Sequence, residues 1–284
     1  MRMTLRAALA AASLIAFAGC KQATVSGNET AANGSTNAAA PTAAAGSIEG
    51  TWKADIDNVQ FDQKPDEMLL QGGQYSCKSC DVPFTVAADG AFHPVSLPGA
   101  DSMAVKVVDD HTVQRTSKKG GRLVGDTKLA VSADGNTLTG SFNDTSVANA
   151  PPSKGEFTEA RVGSAPVGAH AISGQWKPTK LANFSAEQLT VTYKMDGDTL
   201  HMTSPSGYSF DAKLDGSDVP IKGDISGATA SVKKLPDGSY QETDKRSGKV
   251  IGVTTSMSGS DGKLHVVSED KLNGSKITYT ASKQ

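Results

Sequence analysis

The chain has 284 residues, of which 37% are hydrophobic, 20% are charged and only 5% are aromatic, and its formal net charge is -2. These values exclude a polytopic membrane protein, a coiled coil and a wholly disordered polymer, and the length allows one or two domains. The charge shows no excess of basic residues, so we expect no nucleic-acid partner.

The first nineteen residues have the features of a bacterial secretion signal. Two arginines precede an apolar run from Ala7 to Ala18, which at 12 residues is shorter than the roughly 20 residues of a membrane span. The run ends in small residues before Cys20, and residues 17–20 resemble the lipobox of bacterial lipoproteins. That family usually has an aliphatic residue where Phe17 stands. The resemblance implies that residues 1–19 are a lipoprotein signal peptide and that Cys20 is lipidated.

Lipidation would anchor the protein to a membrane, because two or three acyl chains on one residue bind stably whereas a single chain binds only marginally. In the lipoproteins that this leader resembles, an aspartate after the cysteine retains the protein in the inner membrane. Lys21 stands there instead, which favours the outer membrane with the domains in the periplasm. A plain secretory signal with an incidental cysteine is the alternative.

Residues 20–47 comprise the lipidated cysteine and a tether. From residue 21 to residue 47 the chain is mainly Ala, Asn, Thr, Ser and Gly, and Val25 is the only large aliphatic residue. Such a segment cannot bury enough apolar surface to become ordered. We therefore predict a disordered tether, which would span roughly 30 Å between its ends.

Beyond the tether the sequence repeats itself. At a shift of 126 residues, Phe84 and the pair Asp89-Gly90 align with Phe210 and the pair Asp215-Gly216. A period this long indicates duplicated domains, because solenoid repeats have about 20 to 50 residues. The predicted domains are a first β-barrel repeat over residues 48–162, a linker over residues 163–170 and a second β-barrel repeat over residues 171–284.

Each repeat is predicted to contain antiparallel strands and almost no helix. Asp-Gly and Asn-Gly pairs are strong hairpin signals because glycine adopts positive φ. Apolar residues alternate beside these pairs, as at Leu189, Val191 and Tyr193. Turns every 8 to 12 residues or so predict about eight strands per repeat, in a barrel or a sandwich. The pairs begin at Asp89, Asp134, Asp196, Asp215, Asp237, Asp261 and Asn273.

A tryptophan at the start of each repeat favours the barrel over the sandwich. Gly50-Thr51-Trp52 and Gly174-Gln175-Trp176 resemble the Gly-x-Trp that opens the first strand of lipocalins and avidins, in which the indole plugs the closed end of the barrel. With the hairpin pairs and the stretch from Glu242 to Val250, the chain resembles a family of tandemly repeated bacterial lipoproteins with lipocalin-like domains. The resemblance implies an all-β fold with two antiparallel up-and-down β-barrels. It implies no particular activity, because none is associated with that family.

A small barrel can enclose a packed interior or one small ligand. Lipocalin-like pockets are mostly apolar and aromatic, and the whole chain has only 15 aromatic residues, so we do not expect a large apolar cavity. We predict a non-catalytic binding module for a small apolar molecule or an envelope component, without a cofactor. A structural or interaction lipoprotein with solidly packed barrels is the first alternative.

The motif Cys77-Lys78-Ser79-Cys80 is the one local arrangement of residues that could support chemistry, such as a redox reaction or metal binding. With Cys20 lipidated, two cysteines are left in an oxidising compartment, which favours a disulfide that closes a turn. A thiol oxidoreductase is the enzyme alternative. It requires a stabilised thiolate, for which Lys78 is the only evident cation.

Metal and haem chemistry have less support than the disulfide. A zinc site built from this cysteine pair with His93 and His111 lacks the usual ligand spacing. Asp81 stands where Cys-x-x-Cys-His requires a histidine, which excludes covalent haem. We therefore expect no metal and no catalytic residue.

Overall fold

A computed structural model of the protein describes residues 46–284, which form two antiparallel β-barrels. The predicted signal peptide, the lipidation site Cys20, the sorting residue Lys21 and the tether before residue 46 lie outside the described residues. Within residues 46–284, no helix has both the length and the hydrophobicity to cross a membrane.

The described chain is almost entirely strands joined by short turns. In chain order, the first repeat contains β1 (Gly50–Ala54), β2 (Gln60–Asp62), β3 (Asp66–Gln71), β4 (Gln74–Cys77), β5 (Phe84–Ala87), β6 (Asp89–Leu97), β7 (Ala100–Asp109), β8 (Thr112–Lys119), β9 (Arg122–Val131), β10 (Thr137–Asp144) and β11 (Ser153–Val162). The second contains β12 (Gly174–Ala182), β13 (Thr190–Asp196), β14 (Thr199–Thr203), β15 (Ser209–Lys213), β16 (Val219–Pro220), β17 (Ala228–Lys234), β18 (Tyr240–Arg246), β19 (Lys249–Ser258), β20 (Lys263–Asp270) and β21 (Lys276–Lys283). A 3-10 helix (Ile56–Asn58) follows β1, and the short helix α1 (Ala186–Leu189) precedes β13.

The predicted all-β fold and its turns are confirmed. Five of the seven Asp-Gly or Asn-Gly pairs join two paired neighbouring strands, whereas Asp89-Gly90 forms the start of β6 and Asp215-Gly216 lies between the unpaired edge strands β15 and β16. The glycine of each pair has a φ between 60° and 86°. The aspartate of a pair often accepts a hydrogen bond from the backbone N–H two residues later, as Asp89 does from Ala91 and Asp134 does from Asn136. These local bonds explain the aspartates without a catalytic role.

Each barrel contains ten strands, and the prediction of about eight was therefore too low. Barrel 1 has the order β5-β4-β3-β12-β11-β10-β9-β8-β7-β6, and barrel 2 has the order β15-β14-β13-β1-β21-β20-β19-β18-β17-β16, with β2 added beside β21. Strands such as β16, with two residues, are too short for an alternating pattern to reveal. Both sheets are nearly closed, and in barrel 2 a bridge from Ser209 to Lys222 helps to join the two edges.

The first strand of each repeat lies in the barrel of the other repeat. β1 lies between β13 and β21 in barrel 2, where Trp52 is opposite Val191 on one side and Lys283 on the other. β12 lies reciprocally between β3 and β11 in barrel 1, where Trp176 is opposite Asp66. Each barrel thus needs a strand from the other repeat to be complete, so we infer that the two repeats fold interdependently.

The tryptophan of the Gly-x-Trp motif has the same surroundings in both barrels. Trp52 and Trp176 are 2% and 0% exposed, so both are core residues. The Trp52 Nε1–H donates to the Ile48 carbonyl oxygen at 2.7 Å, and the Trp176 Nε1–H donates to the Ile172 carbonyl oxygen at 2.8 Å. In both cases the only hydrogen-bond donor of the buried indole is therefore paired, and its acceptor is a backbone carbonyl just before the strand that carries the tryptophan.

The glycine of the motif leaves room for a cation above the indole. Gly50 and Gly174 have φ values of 127° and 126°, which side chains rarely tolerate. A Cβ atom at these positions would lie 2.5 Å from the Lys283 side chain and 2.7 Å from the Arg161 side chain. Those cations lie over the two indoles, with 5.5 Å from the ring centroid to Lys283 Nζ and 4.0 Å to Arg161 Cζ.

Candidate functional site

Arg161 and Trp176 lie at one end of barrel 1, beside the chain that joins the two repeats. The guanidinium lies on the indole and donates from Nη1 to the carbonyl oxygen of Ser173 at 2.7 Å and from Nη2 to that of Ala171 at 2.6 Å. The chain between the two repeats is thereby fastened across this end of the barrel. We call the opposite end, at Gly125 on β9 and Asp144 on β10, the mouth.

The mouth of barrel 1 contains a cavity of about 270 Å³. Met103, Val124 and Phe142 supply apolar surface from the wall of barrel 1, while Tyr208 and residues 224–226 of barrel 2 form its outer side. Pockets for drug-sized ligands usually have volumes of about 300 to 1,000 Å³. The cavity is slightly below this range, so any molecule that it held would be smaller than a typical drug.

Three polar atoms of residues that line this cavity have no hydrogen-bond partner. Asn143 Oδ1, Gln188 Oε1 and Arg115 Nε are buried and bond to no other atom of the described chain. An unmatched buried polar atom costs about 1 to 3 kcal/mol, and native structures retain few of them. The residues that line the cavity therefore include polar as well as apolar side chains.

Contacts between the two barrels hold the rim of the cavity in place. The Ser146 and Tyr208 hydroxyls lie 3.2 Å apart, and either can donate to the other. Phe142 and Phe184 pack edge to face with their ring centroids 5.5 Å apart. Gly207 has a φ of 95°, and a Cβ atom there would lie 2.7 Å from side chains of the loop between β10 and β11. The shape of the mouth therefore depends on both barrels.

A buried polar cluster adjoins the cavity inside barrel 1. Arg115, which lines the cavity, donates from Nη1 to the Tyr75 hydroxyl at 2.9 Å. Glu159 is 1% exposed, and its Oε1 has no hydrogen-bond partner among residues 46–284. Burial, with a further contribution from the Asp66 carboxylate, raises the pKa of Glu159 to about 8, and the Arg115 charge opposes this rise. The interior of barrel 1 is therefore not purely apolar.

The residues of this site did not stand out in the sequence, although a signal for some of them was present. In the repeat alignment Arg115 corresponds to Glu242, so an inward position on equivalent strands carries charges of opposite sign. Glu159 likewise interrupts the buried apolar positions of β11. Gln188 and Tyr208 belong to the second repeat and complete a cavity in barrel 1, so no local pattern could have identified them.

The predicted disulfide is confirmed. Cys77 and Cys80 are bonded with their Cα atoms 5.4 Å apart, and Cys77 is fully buried. Within the loop, Ser79 Oγ accepts a hydrogen bond from the Glu67 backbone N–H at 2.9 Å, and Lys78 Nζ pairs with the Glu67 carboxylate at 2.6 Å. The disulfide loop therefore fastens the start of β3, the strand that pairs with β12.

The two histidines considered as zinc ligands lie in other surroundings. His93 Nε2 lies 2.9 Å from the Asp89 carboxylate, and His111 Nδ1 lies 3.2 Å from the Val131 carbonyl oxygen. Both thiols of the cysteine motif are used in the disulfide. Across the part of the chain that the structure describes, no group of three or more His, Cys, Asp or Glu side chains is arranged to hold a metal ion.

Comparisons of the chain with family models, with curated proteins and with solved structures found no match. The two nearly closed antiparallel barrels are the part of the lipocalin-like resemblance that the structure shows. A fold of this kind hosts many functions, so the function has to be argued from the cavity and its residues.

Proposed function

We propose that the protein is a non-catalytic binding protein of the bacterial cell envelope, similar to lipocalin-like lipoproteins, and that it holds a small amphipathic molecule in the mouth of barrel 1. The supporting observation is a cavity of about 270 Å³, two of whose lining residues, Arg115 and Gln188, have a buried polar atom without a partner among the described residues. Met103 and Val124 would contact an apolar body, while Gln188 and Arg115 would bond a polar group. Because polar groups line the cavity, we propose an amphipathic ligand in place of the purely apolar one that the sequence predicted.

The alternative of a solidly packed barrel suits barrel 2 better than barrel 1. Large aromatic side chains occupy the core of barrel 2, where Trp52, Tyr193, Phe210 and Tyr279 are all buried. Barrel 2 also supplies Tyr208 to the cavity wall of barrel 1. In this proposal barrel 1 binds the ligand and barrel 2 supports and covers the site.

The alternative of a thiol oxidoreductase gains no support from the geometry. A reactive cysteine needs both access and a stabilised thiolate. Cys77 is fully buried, and Lys78 is engaged by the Glu67 carboxylate. The disulfide with Cys80 is therefore better explained as the fastening of a loop.

Binding in the mouth can be tested with 1-aminoanthracene, a fluorescent aromatic amine with an apolar body and one polar group. We expect saturable fluorescence enhancement with the wild-type protein. The variant Ser117→Trp should weaken binding at least about tenfold, because the indole fills space in the cavity. Val107→Trp changes a residue of β7 that is 41% exposed and outside the cavity, and it should bind as the wild type does.

Binding of the probe that never saturates would contradict a ligand site in this protein. Equal affinity in the wild type and Ser117→Trp would show that the probe binds elsewhere. Thermal unfolding of both variants, measured beside the wild type, distinguishes a filled cavity from a misfolded barrel.

The proposed anchor can be tested by metabolic labelling. Cys20→Ser should abolish incorporation of labelled palmitate, because the serine hydroxyl does not replace the thiol that receives the lipid. Cys77→Ser changes a cysteine that lies in the disulfide, and this control should retain the label. Absence of label from the wild-type protein would favour the plain secretory signal, and label that persists after Cys20→Ser would indicate another site of lipidation.

A further inference from the structure

We propose that the polar group of the ligand is a carboxylate that pairs with Arg115, an inference that rests on the proposed function of the cavity. Arg115 lies in β8, opposite Val105 of β7 and Thr127 of β9. Val105 is fully buried, and side chains at opposite positions share one face of a sheet, so Arg115 and Thr127 face the interior of barrel 1. Ser117, two residues further along β8, faces the same way, and all three polar residues line the cavity.

The guanidinium of Arg115 is held in place by one edge. Its Nη1 donates to the Tyr75 hydroxyl at 2.9 Å, and its Cζ lies 5.7 Å from the centroid of the Tyr75 ring. Its Nε is buried and has no hydrogen-bond partner among residues 46–284. Nε and Nη2 form a second edge of the guanidinium, and the two parallel N–H groups of such an edge match the two oxygens of a carboxylate. The bond to Tyr75 therefore orients the guanidinium without using this second edge.

The charge of Arg115 has no direct partner in the part of the chain that the structure describes. None of the ion pairs formed among residues 46–284 includes Arg115. A charge removed from water is costly unless an opposite charge accompanies it. A ligand carboxylate would supply that opposite charge, whereas an ammonium group would add a second positive one.

The acids of the buried polar cluster do not take this place. Burial raises the pKa of Glu159 to about 8, so its carboxyl is mostly uncharged at neutral pH. Asp66, on β3, is outside the cavity, and its Oδ1 accepts a hydrogen bond from Ser79 Oγ of the disulfide loop at 3.1 Å. Burial also raises the pKa of Tyr75, so its hydroxyl is uncharged as well. At neutral pH Arg115 is thus the charge of this cluster that lines the cavity.

The carboxylate of Asp126 does not face the cavity, although Asp126 is one of the residues along it. Its Oδ2 accepts hydrogen bonds from Thr116 Oγ1 at 2.9 Å and from Gln114 Nε2 at 2.8 Å. Gln114 and Thr116 precede and follow Arg115 in β8, so their side chains are on the outer face of the strand. The Asp126 carboxylate therefore lies on the outer face of the barrel wall.

The two carboxyls at the mouth each have an arginine close by. Burial raises the pKa of Asp144, and the Arg122 charge acts against that rise. Asp224 accepts a hydrogen bond from the Ser226 hydroxyl, to which Arg246 Nη2 donates in turn at 3.0 Å. These acids are therefore accompanied by positive charges, and they leave Arg115 available to an anionic ligand.

Binding of a carboxylate at Arg115 is coupled to the proton of Glu159. The charged or titratable groups that act on Glu159 from the facing strands are Arg115 and Asp66, and the Arg115 charge opposes the rise in the pKa of Glu159. A bound carboxylate offsets the Arg115 charge, so the pKa of Glu159 is higher in the complex than in the free protein. The affinity for the carboxylate is then full below the pKa of about 8 in the free protein and falls as the pH rises through that value.

The test compares 1-naphthoate with 1-naphthamide, which share one aromatic body and nearly one shape but differ in charge. Each competes with 1-aminoanthracene for the full-length protein at neutral pH. We expect naphthoate to bind about tenfold more tightly than naphthamide. Arg115→Met should reduce this advantage to about twofold or less. Lys128→Met is the matched control, because it removes a positive charge from an exposed position of β9 outside the cavity, and it should keep the advantage.

The dependence on pH gives a second measurement that leaves Arg115 unchanged. Between neutral pH and a pH of about 9, naphthoate should bind the wild type about fivefold more weakly. Naphthamide is uncharged, so its affinity should change little and reports that the cavity stays folded. Glu159→Gln keeps the shape of the side chain but cannot ionise, and the affinity of this variant for naphthoate should not fall with pH.

The possible failures are distinguishable. Equal affinity for naphthoate and naphthamide, or an advantage of naphthoate that survives Arg115→Met, would overturn the carboxylate assignment and leave the binding function intact. If Arg115→Met unfolds, the pH series decides, because a naphthoate affinity that stays constant or rises would overturn the assignment. Absence of binding by every ligand, the probe included, would contradict the proposed function instead.

Discussion

Replacing Trp52 by alanine is expected to destabilise barrel 2, although Trp52 belongs by sequence to the first repeat. The indole is 2% exposed and lies in β1, between β13 and β21 of barrel 2. Loss of a buried tryptophan typically costs about 3 to 5 kcal/mol. The free energy of unfolding should fall by that amount, and hydrogen exchange should accelerate first at residues 190–196 and 276–283.

Trp176→Ala is the matched comparison for the exchanged strands. Its indole is in β12, between β3 and β11 of barrel 1, so exchange should accelerate first at residues 66–71 and 153–162. If Trp52→Ala instead exposed those barrel 1 strands, each repeat would be using its own first strand. A loss below about 1 kcal/mol for either variant would contradict the assignment of that tryptophan to the core.

Raising the pH from about 4.5 to about 8 is expected to destabilise the protein through Glu159. The pKa of this carboxyl is about 8 in the folded protein, against an ordinary value of 4.5, mainly because it is buried. The folded state therefore binds the proton more tightly than the unfolded state does. The resulting stabilisation is full below about 4.5 and is lost as the pH approaches the folded pKa. At about 1.4 kcal/mol per unit of pKa, the loss is at most about 5 kcal/mol.

Glu159→Ala should remove most of this pH dependence and make the protein more stable than the wild type at pH of about 8. Alanine fits the fold, because Ala281 occupies the related position in barrel 2. Ala281 stands two residues before Lys283, the cation over the Trp52 indole, just as Glu159 stands two residues before Arg161, the cation over the Trp176 indole. Glu156→Ala, on the outer face of the same strand, should keep the pH dependence. Denaturant unfolding at several pH values measures both effects. Stability that rises between pH of about 5 and 8 would contradict the buried Glu159.

Much of the fold could be predicted because its signals are local. An Asp-Gly pair such as Asp134-Gly135 encodes a turn through the positive φ of glycine and the short reach of the aspartate. The disulfide between Cys77 and Cys80 was predictable for the same reason, since only three positions separate the two residues. The number of strands was harder to predict from the sequence, because the shortest strands contain too few residues to show an alternation of apolar and polar side chains.

The candidate site was much less predictable than the fold. The small number of aromatic residues argued against expecting a large apolar cavity, and it gave no position for a small one. Arg115 and Glu159 interrupt apolar strand faces, which is a visible signal, but their proximity to each other results from barrel closure. Gln188 and Tyr208 reach the cavity from another barrel.

By itself the sequence determined an all-β protein with two repeats, the positions of its turns, its disulfide and a buried tryptophan in each barrel. These features depend on residues that are close together in the chain. Only the tertiary structure decided which barrel each Gly-x-Trp strand completes. Both strands carry the same glycine and the same indole, so local interactions cannot distinguish between them, and the choice depends on how the chain crosses from one barrel to the other. The cavity is decided at the same level, because its wall exists only where the two barrels meet.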